Sequence, residues 1–209
     1  MTDFTTPRFL YFDLGNVLLF FDHEIACRQM ADVAGVQKEL VRDVVFDSGL
    51  QLRYECGEIT CEEFHDVFCR ETKSQPTISA LHRAGSDIFK LNVAIVPVVA
   101  GIRRAGYRMG ILSNTCKAHW DFITPRYKLI SSVFDLTVLS FEVGAMKPAP
   151  KIYEAAANRA NVPPNEILIV DDRDENVQAA REGGFDAVQF TSTPNLMQDL
   201  RDRRLRFNY

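Results

Sequence analysis

A chain of 209 residues is long enough for one α/β domain carrying an insertion and short for two independent domains. Its net charge of −4 argues against a general nucleic-acid binder, whose grip on phosphates rests on an excess of Lys and Arg. The longest apolar stretches fall far short of a membrane span, and the polar opening Met1 to Pro7 has Asp3 where a signal peptide would be basic, so a cytoplasmic protein is expected.

Phe9 to Phe12 is an apolar run of strand character that delivers a carboxylate, Asp13, and then turns at Gly15-Asn16. In open α/β sheets ligands bind outside the carboxyl ends of the strands, so Asp13 reads as chemistry, with a turn or helix cap as the plain alternative. Asp22 has the position of an N-cap for a helix whose apolar face is formed by Ile25, Met30, Val33 and Ala34. From there to about Leu91 no strand is expected. Residues 38–46, 60–72 and 77–89 carry helical spacing, and Thr60 with Glu63 makes a capping box. Roughly seventy residues of helix exceed any ordinary connection, so 21–91 are expected to be an inserted helical region and 1–20 with 92–209 the core.

The alternation resumes with a helix over 96–104, ended by Gly106, and a strand over 107–112 running into Ser113-Asn114-Thr115. A strand over 133–139 follows, then a helix over 149–160 with Pro148 and Pro150 at its start. A strand over 166–170 ends in Asp171-Asp172, a helix over 175–182 stops at Gly183-Gly184, and a strand over 187–190 and a helix from about 194 finish the chain. Strands and helices alternating with short links predict an α/β, Rossmann-like fold: a parallel sheet with helices on both faces.

In such a sheet Asp13, Ser113-Asn114 and Asp171-Asp172 share one edge, and Lys147, just before Pro148, joins them from the side. These types suit phosphoryl transfer. Mg²⁺ prefers oxygen and takes one or two protein carboxylates, here Asp13 and Asp172. Lys147 and the donors of Ser113 and Asn114 then neutralise phosphoryl oxygens, and Asp13 is the nucleophile through an aspartyl-phosphate. Singly, Ser113-Asn114 also reads as a turn, Lys147 as a solvated lysine and one of the paired acids as a cap.

Taken together, Phe12-Asp13-Leu14-Gly15-Asn16-Val17, Leu112-Ser113-Asn114, Lys147-Pro148 and Val170-Asp171-Asp172 with Asn176 resemble the four motifs of the haloacid dehalogenase-like hydrolase superfamily. The insertion resembles its C1-type helical cap. Asp-Leu-Gly-Asn-Val is most similar to sugar-phosphate phosphatases of the α-D-glucose-1-phosphate phosphatase type. The resemblance implies a Mg²⁺-dependent phosphatase of small phosphorylated metabolites. Asp13 would be nucleophile and metal ligand, Gly15 would lend the metal its backbone carbonyl, and Asp172 would be the second carboxylate ligand. Asp171 and Asn176 would support the metal, Ser113 and Asn114 would hold phosphate, and Lys147 would bridge nucleophile and phosphate.

One departure stands out. Most phosphatases of the superfamily carry a second Asp two residues after the nucleophile, to protonate the leaving group; here that residue is Gly15, which transfers no proton. Asp22 is the nearest later acid and a possible surrogate. Alternatively the leaving group needs little help, as an anomeric phosphate would. Two other functions remain open on the same residues: cleavage of a carbon–halogen or carbon–phosphorus bond, whose branches also lack the second Asp, and non-catalytic binding of a phosphate ligand or partner.

His119 follows the second motif closely enough to reach substrate, and Arg53, Tyr54 and Glu55, before Gly57, sit where caps of this type turn a loop toward the active site. Asp172, Asp174 and Asn176 mimic an EF-hand start, but Val177 replaces its Gly and Gly183 its Glu, which excludes a calcium loop. P-loop, zincin and serine-hydrolase signatures are missing. Cys27, Cys56, Cys61, Cys69 and Cys116 form no C-x-x-C pair and fit free thiols. Arg201, Arg203, Arg204 and Arg206 read as a basic end to the last helix.

Overall fold

The structure, a computed structural model, describes residues 6–207. The start of the polar opening, with Asp3, and the outermost residues of the expected core lie outside them. The chain begins with β1 (Phe9–Phe12) and a short β2 (Leu19–Phe20). Helices α1 (His23–Ala34) and α2 (Lys38–Arg42), a π-helical turn (Asp43–Asp47), and helices α3 (Leu50–Glu55), α4 (Cys61–Thr72) and α5 (Ile78–Ser86) follow. Next come β3 (Lys90–Leu91), α6 (Val96–Arg104), β4 (Arg108–Ser113), α7 (Lys117–Arg126), α8 (Lys128–Val133) and β5 (Leu136–Leu139). The chain closes with α9 (Ser140–Val143), α10 (Pro150–Ala160), β6 (Ile167–Asp171), α11 (Asp174–Glu182), β7 (Asp186–Gln189) and α12 (Thr193–Asp202).

Five strands form a parallel sheet in the order β5-β4-β1-β6-β7, so β1 is the central strand. All four of its residues are buried, as a central parallel strand requires when helices cover both faces. Alternation along β1 divides the core. Leu10 and Phe12 join Val98, Val99 and Ile102 of α6 and Leu196 and Leu200 of α12 on one face. Phe9 and Tyr11 join Ile152, Tyr153 and Ala156 of α10 and Val177 and Ala180 of α11 on the other. The result is the expected three-layer α/β architecture. Register does the rest: Phe12 lies opposite both Ile111 and Val170, which carries Asp13, Ser113 and Asp171 to one edge.

The helical insertion lies between β2 and β3 and has a core of its own, with Met30 of α1, Phe64 and Phe68 of α4 and Leu81 of α5. Thr60 and Glu63 make the reciprocal capping box, and Asp22 caps α1 by accepting from Glu24 N–H. Some details differ from the sequence reading. The buried face of α1 is Ala26, Cys27, Met30 and Ala31, while Val33 is 42% exposed. β2 and β3 pair antiparallel where the chain leaves and re-enters the core, a ladder too short to show as a strand pattern. The expected strand over 133–139 begins only at Leu136, because Lys128–Val133 turns once as a helix that buries Ile130. Arg53, Tyr54 and Glu55 belong to α3, not to a loop. The five cysteines are free.

Arg203 ends α12 as the sequence suggests, its Nη1 donating to Asp199 O at 3.0 Å, but it does more: it is 5% exposed and forks onto Asp186 of β7, Nε to Oδ2 at 2.5 Å and Nη2 to Oδ1 at 2.8 Å. A bidentate guanidinium–carboxylate pair of this kind ties α12 to the sheet edge. Arg203→Ala strands Asp186 and should lower unfolding free energy by about 2–4 kcal/mol, against no more than about 0.5 kcal/mol for exposed Arg206→Ala. Urea unfolding of the two variants checks the contrast.

Candidate active site

Asp13 follows β1 directly, and its backbone N–H donates to Val170 O at 2.8 Å, continuing the ladder. Its Oδ1 accepts from Leu14 N–H at 2.7 Å and lies 3.0 Å from Lys147 Nζ. Lys147 is 4% exposed and spends all three of its N–H groups: on Asp13, on Asp171 Oδ2 at 2.5 Å and on Leu112 O at 2.8 Å. Burial alone would lower the Lys147 pKa, but the carboxylates of Asp13 and Asp171 more than offset this and raise it, so the ammonium is retained.

Asp171 is saturated. Its Oδ1 accepts from Arg173 N–H and Asn176 Nδ2, both at 2.9 Å, and its Oδ2 from Lys147. Asp172 is held by Asn16, whose Nδ2 donates to Oδ2 at 3.1 Å. Asn16 reaches that position from a left-handed backbone (φ 55°), which Asn tolerates better than most residues. Oxygens of Asp13, Asp171 and Asp172 lie within 4.8 Å of one another. Three carboxylates against one ammonium form a hard-oxygen cluster with excess negative charge, the donor set that Mg²⁺ takes. Asn176 Oδ1 is buried without a partner, an acceptor that a water of a hydrated cation would satisfy. The residues therefore fit the ion. Asp171, already saturated, supports the site, while Asp13 and Asp172 have oxygens to spare.

A cavity of about 320 Å³ opens over this cluster and is walled by both layers of the protein: Asp13, Gly15, Lys147 and Asp172 from the core, Phe46, Gln51 and Glu55 from the insertion. A smaller recess of about 40 Å³ adjoins it, bounded by Gly15, Ser113, Glu55 and His119. Most expected site residues thus converge. Ser113 is buried and its hydroxyl makes only a long 3.3 Å contact to Asn114 O, leaving it available. The Asn114 side chain is committed instead to the backbone of Lys147, donating to its O at 2.9 Å and accepting from its N–H at 2.7 Å. His119 packs edge-on against Phe89 at 5.2 Å, and desolvation pushes its imidazole down to about 4.

The structure does not bring Arg53 and Tyr54 to the cavity. Arg53 is exposed and pairs with Glu58 at 3.6 Å; Tyr54 is buried, its hydroxyl 2.8 Å from Cys61 Sγ and accepting from Ala118 N–H. Residues the sequence reading did not single out, Phe21, His23, Phe46 and Gln51, line the cavity instead. Only the i, i+4 spacing of Gln51 and Glu55 on one helix face could have pointed to part of this wall.

The chain belongs to the haloacid dehalogenase-like hydrolases, whose family model matches residues 12–184. Among characterised relatives, the D-ribitol-5-phosphate phosphatase of Bacteroides thetaiotaomicron is 24% identical over 91% of this chain and 95% of its own length. The glyceraldehyde 3-phosphate phosphatase of Methanopyrus kandleri is 26% identical over 78% of this chain and 72% of its own. A family enzyme of Bacteroides thetaiotaomicron, solved in complex with magnesium and inorganic phosphate, superposes with a TM-score of 0.78 at 24% identity, covering 88% of this chain and 93% of that one. Among the described residues no helix is long and apolar enough to cross a membrane.

Burial pushes the Asp13 carboxyl up to about 7; Lys147 counteracts this and Asp171 adds to it. A cation requires the ionised form, so Mg²⁺ binding should release close to one proton well below that pKa and almost none well above it. Apparent affinity then rises with pH to about 7 and levels off. Calorimetry in buffers of different ionisation enthalpy at about pH 5.5 and about pH 8.5 reads the proton count; equal release at both would contradict this electrostatic account.

Proposed function

We propose that the protein is a Mg²⁺-dependent phosphatase of a small phosphorylated metabolite, a sugar or polyol phosphate. The observation that carries this reading is Asp13 itself. One oxygen is pinned by Lys147 and Leu14 N–H, and the other has no hydrogen-bond partner among the described residues at the base of a cavity sized for a small metabolite. Asp13 attacks phosphorus, the phosphorus–oxygen ester bond breaks, and water hydrolyses the aspartyl-phosphate to release inorganic phosphate. Lys147 favours the ionised nucleophile and aims it, Ser113 donates to a phosphoryl oxygen, and Asn114 fixes the Lys147 backbone. Phosphate contact by Lys147 requires exchanging one of its three present hydrogen bonds. Asp13, Asp172 and the Gly15 carbonyl would hold Mg²⁺, with Asp171 and Asn176 in support, and the ion would supply positive charge to the phosphoryl oxygens.

The relatives that act on ribitol 5-phosphate and glyceraldehyde 3-phosphate support a polyhydroxylated substrate. An anomeric phosphate, as the α-D-glucose-1-phosphate phosphatase resemblance suggests, belongs to the same class. In this reading residues 21–91 act as a cap that closes over the cavity and excludes water, and 1–20 with 92–209 are the catalytic core. The acidic pair beside Asp13 favours phosphoryl over carbon–halogen chemistry, because it suits a divalent cation whose charge a phosphoryl group needs and a carbon–halogen bond does not.

A panel of sugar and polyol phosphates, assayed for phosphate release with and without Mg²⁺, tests the proposal. Turnover should need Mg²⁺ and fall at least about 10³-fold in Asp13→Asn. Turnover that is independent of metal, or unchanged in that variant, would refute it.

A further inference from the structure

Gly15 stands where most phosphatases of this superfamily carry a proton donor, and the structure shows what has taken the space. A Cβ built on Gly15 would lie 2.7 Å from Cε1 of Phe21. The ring fills the direction in which an acid side chain would project, so a donor at position 15 requires Phe21 to move. Protonation of a poor leaving group must then come from another wall of the cavity.

Few groups there can supply it. The carboxyl groups lining the cavity are those of Asp13, Asp172 and Glu55, and the first two are taken by the nucleophile and cation roles. Asp22, the surrogate considered from sequence, is exposed, caps α1 and does not line the cavity. His23 sits between the rings of Phe21 and Phe46, at 5.0 and 4.6 Å, and desolvation lowers its pKa; His119 is pushed lower still. Neutral imidazoles are weak acids. Lys147 has no free N–H, and the Arg173 guanidinium pairs with Glu175.

We propose that Glu55 is the general acid and base of this site, reaching from the insertion to the leaving oxygen in place of a residue at position 15. It is the single carboxyl shared by the main cavity and the recess beside Gly15 and Ser113. Its backbone is anchored to the catalytic edge of the sheet, with Ser140 Oγ, buried at the start of α9, 2.5 Å from Glu55 O. Two residues on, Gly57 (φ 74°) packs so closely on the core that a Cβ would lie 2.3 Å from Phe141 O. The side chain is oriented by Gln51 Nε2, which donates to Oε1 at 2.8 Å. Burial raises the Glu55 carboxyl above its ordinary value, while Gln51 and Arg173 moderate the rise, so this carboxyl holds a proton more readily than an exposed one.

The step rests on the phosphatase reading. As Asp13 bonds to phosphorus, the leaving oxygen departs with its bonding pair and takes the proton of the Glu55 carboxyl, leaving as an alcohol. The Glu55 carboxylate then accepts a proton from the water that attacks the aspartyl-phosphate, and phosphate leaves Asp13 with both carboxyl groups restored to their starting states.

The test compares wild type and Glu55→Gln on two substrates with Mg²⁺ present: a polyol phosphate, whose alkoxide needs a proton, and p-nitrophenyl phosphate, whose phenolate does not. In the variant, polyol phosphate turnover should fall about 10²- to 10⁴-fold. With p-nitrophenyl phosphate it should release a burst of nitrophenolate stoichiometric with enzyme, followed by slow turnover because water lacks its base. Equal loss on both substrates with no burst means a structural role only and overturns the assignment, as does wild-type turnover on both. If wild type hydrolyses neither substrate nor any of the panel, the phosphatase reading itself fails. Should Glu55→Gln not fold, Glu55→Asp carries the same comparison: it keeps the acid but withdraws it, so the polyol phosphate must suffer more than p-nitrophenyl phosphate.

Discussion

The site depends on one buried ammonium. Lys147 is surrounded by Asp13, Asp171 and the Leu112 carbonyl, and each contact uses one of its three protons. A desolvated lysine without such partners would lose its charge, and the two acids without the lysine would face each other at short range in a medium that punishes like charges. Removing any member therefore leaves the others buried and uncompensated. The arrangement leaves a defined surplus of negative charge at Asp13 and Asp172, and that surplus is what asks for a divalent cation.

Each partner is supplied by a different part of the chain, and the sheet makes their meeting possible. β1, β4 and β6 are neighbours in register, so residues just past each strand fall side by side. Lys147 comes from the β5–α10 connection, and Asn114 clamps its backbone through two reciprocal hydrogen bonds. Asn176, at the start of α11, and the N–H of Arg173 fix Asp171 from below. The geometry around Asp13 is thus a property of the parallel sheet and its C-terminal loops. The insertion supplies the facing wall of the cavity, keeps its own apolar core and meets the sheet edge tightly at Gly57 and Ser140.

Strand-end chemistry was legible in the sequence because it depends on local pattern: apolar runs ending in Asp13, Ser113 and Asp171-Asp172 announce a shared edge once the strands are parallel. Gly15 also declared itself as a missing acid. Its cause did not, since the packing of Phe21 into the vacant direction is a tertiary contact that no spacing encodes. Arg53, Tyr54 and Glu55 show the same limit. Consecutive helical residues point about 100° apart, so a stretch can be placed correctly while the one residue that reaches the cavity stays undetermined. The commitment of Asn114 to Lys147 and the fork of Arg203 onto Asp186 both join residues distant in sequence, so local pattern showed no more than a strand-end amide and a basic helix end.

The central claim, that Asp13 carries the phosphoryl group, is tested most directly by quenching the enzyme with acid during turnover of a phosphomonoester and locating the modification by tandem mass spectrometry. The account predicts one phosphoryl group on the peptide containing Asp13, at Asp13 itself, lost on treatment with hydroxylamine and accumulating where hydrolysis is slowed. Sustained phosphate release with Asp13 unmodified, or a label on any other residue, would contradict it.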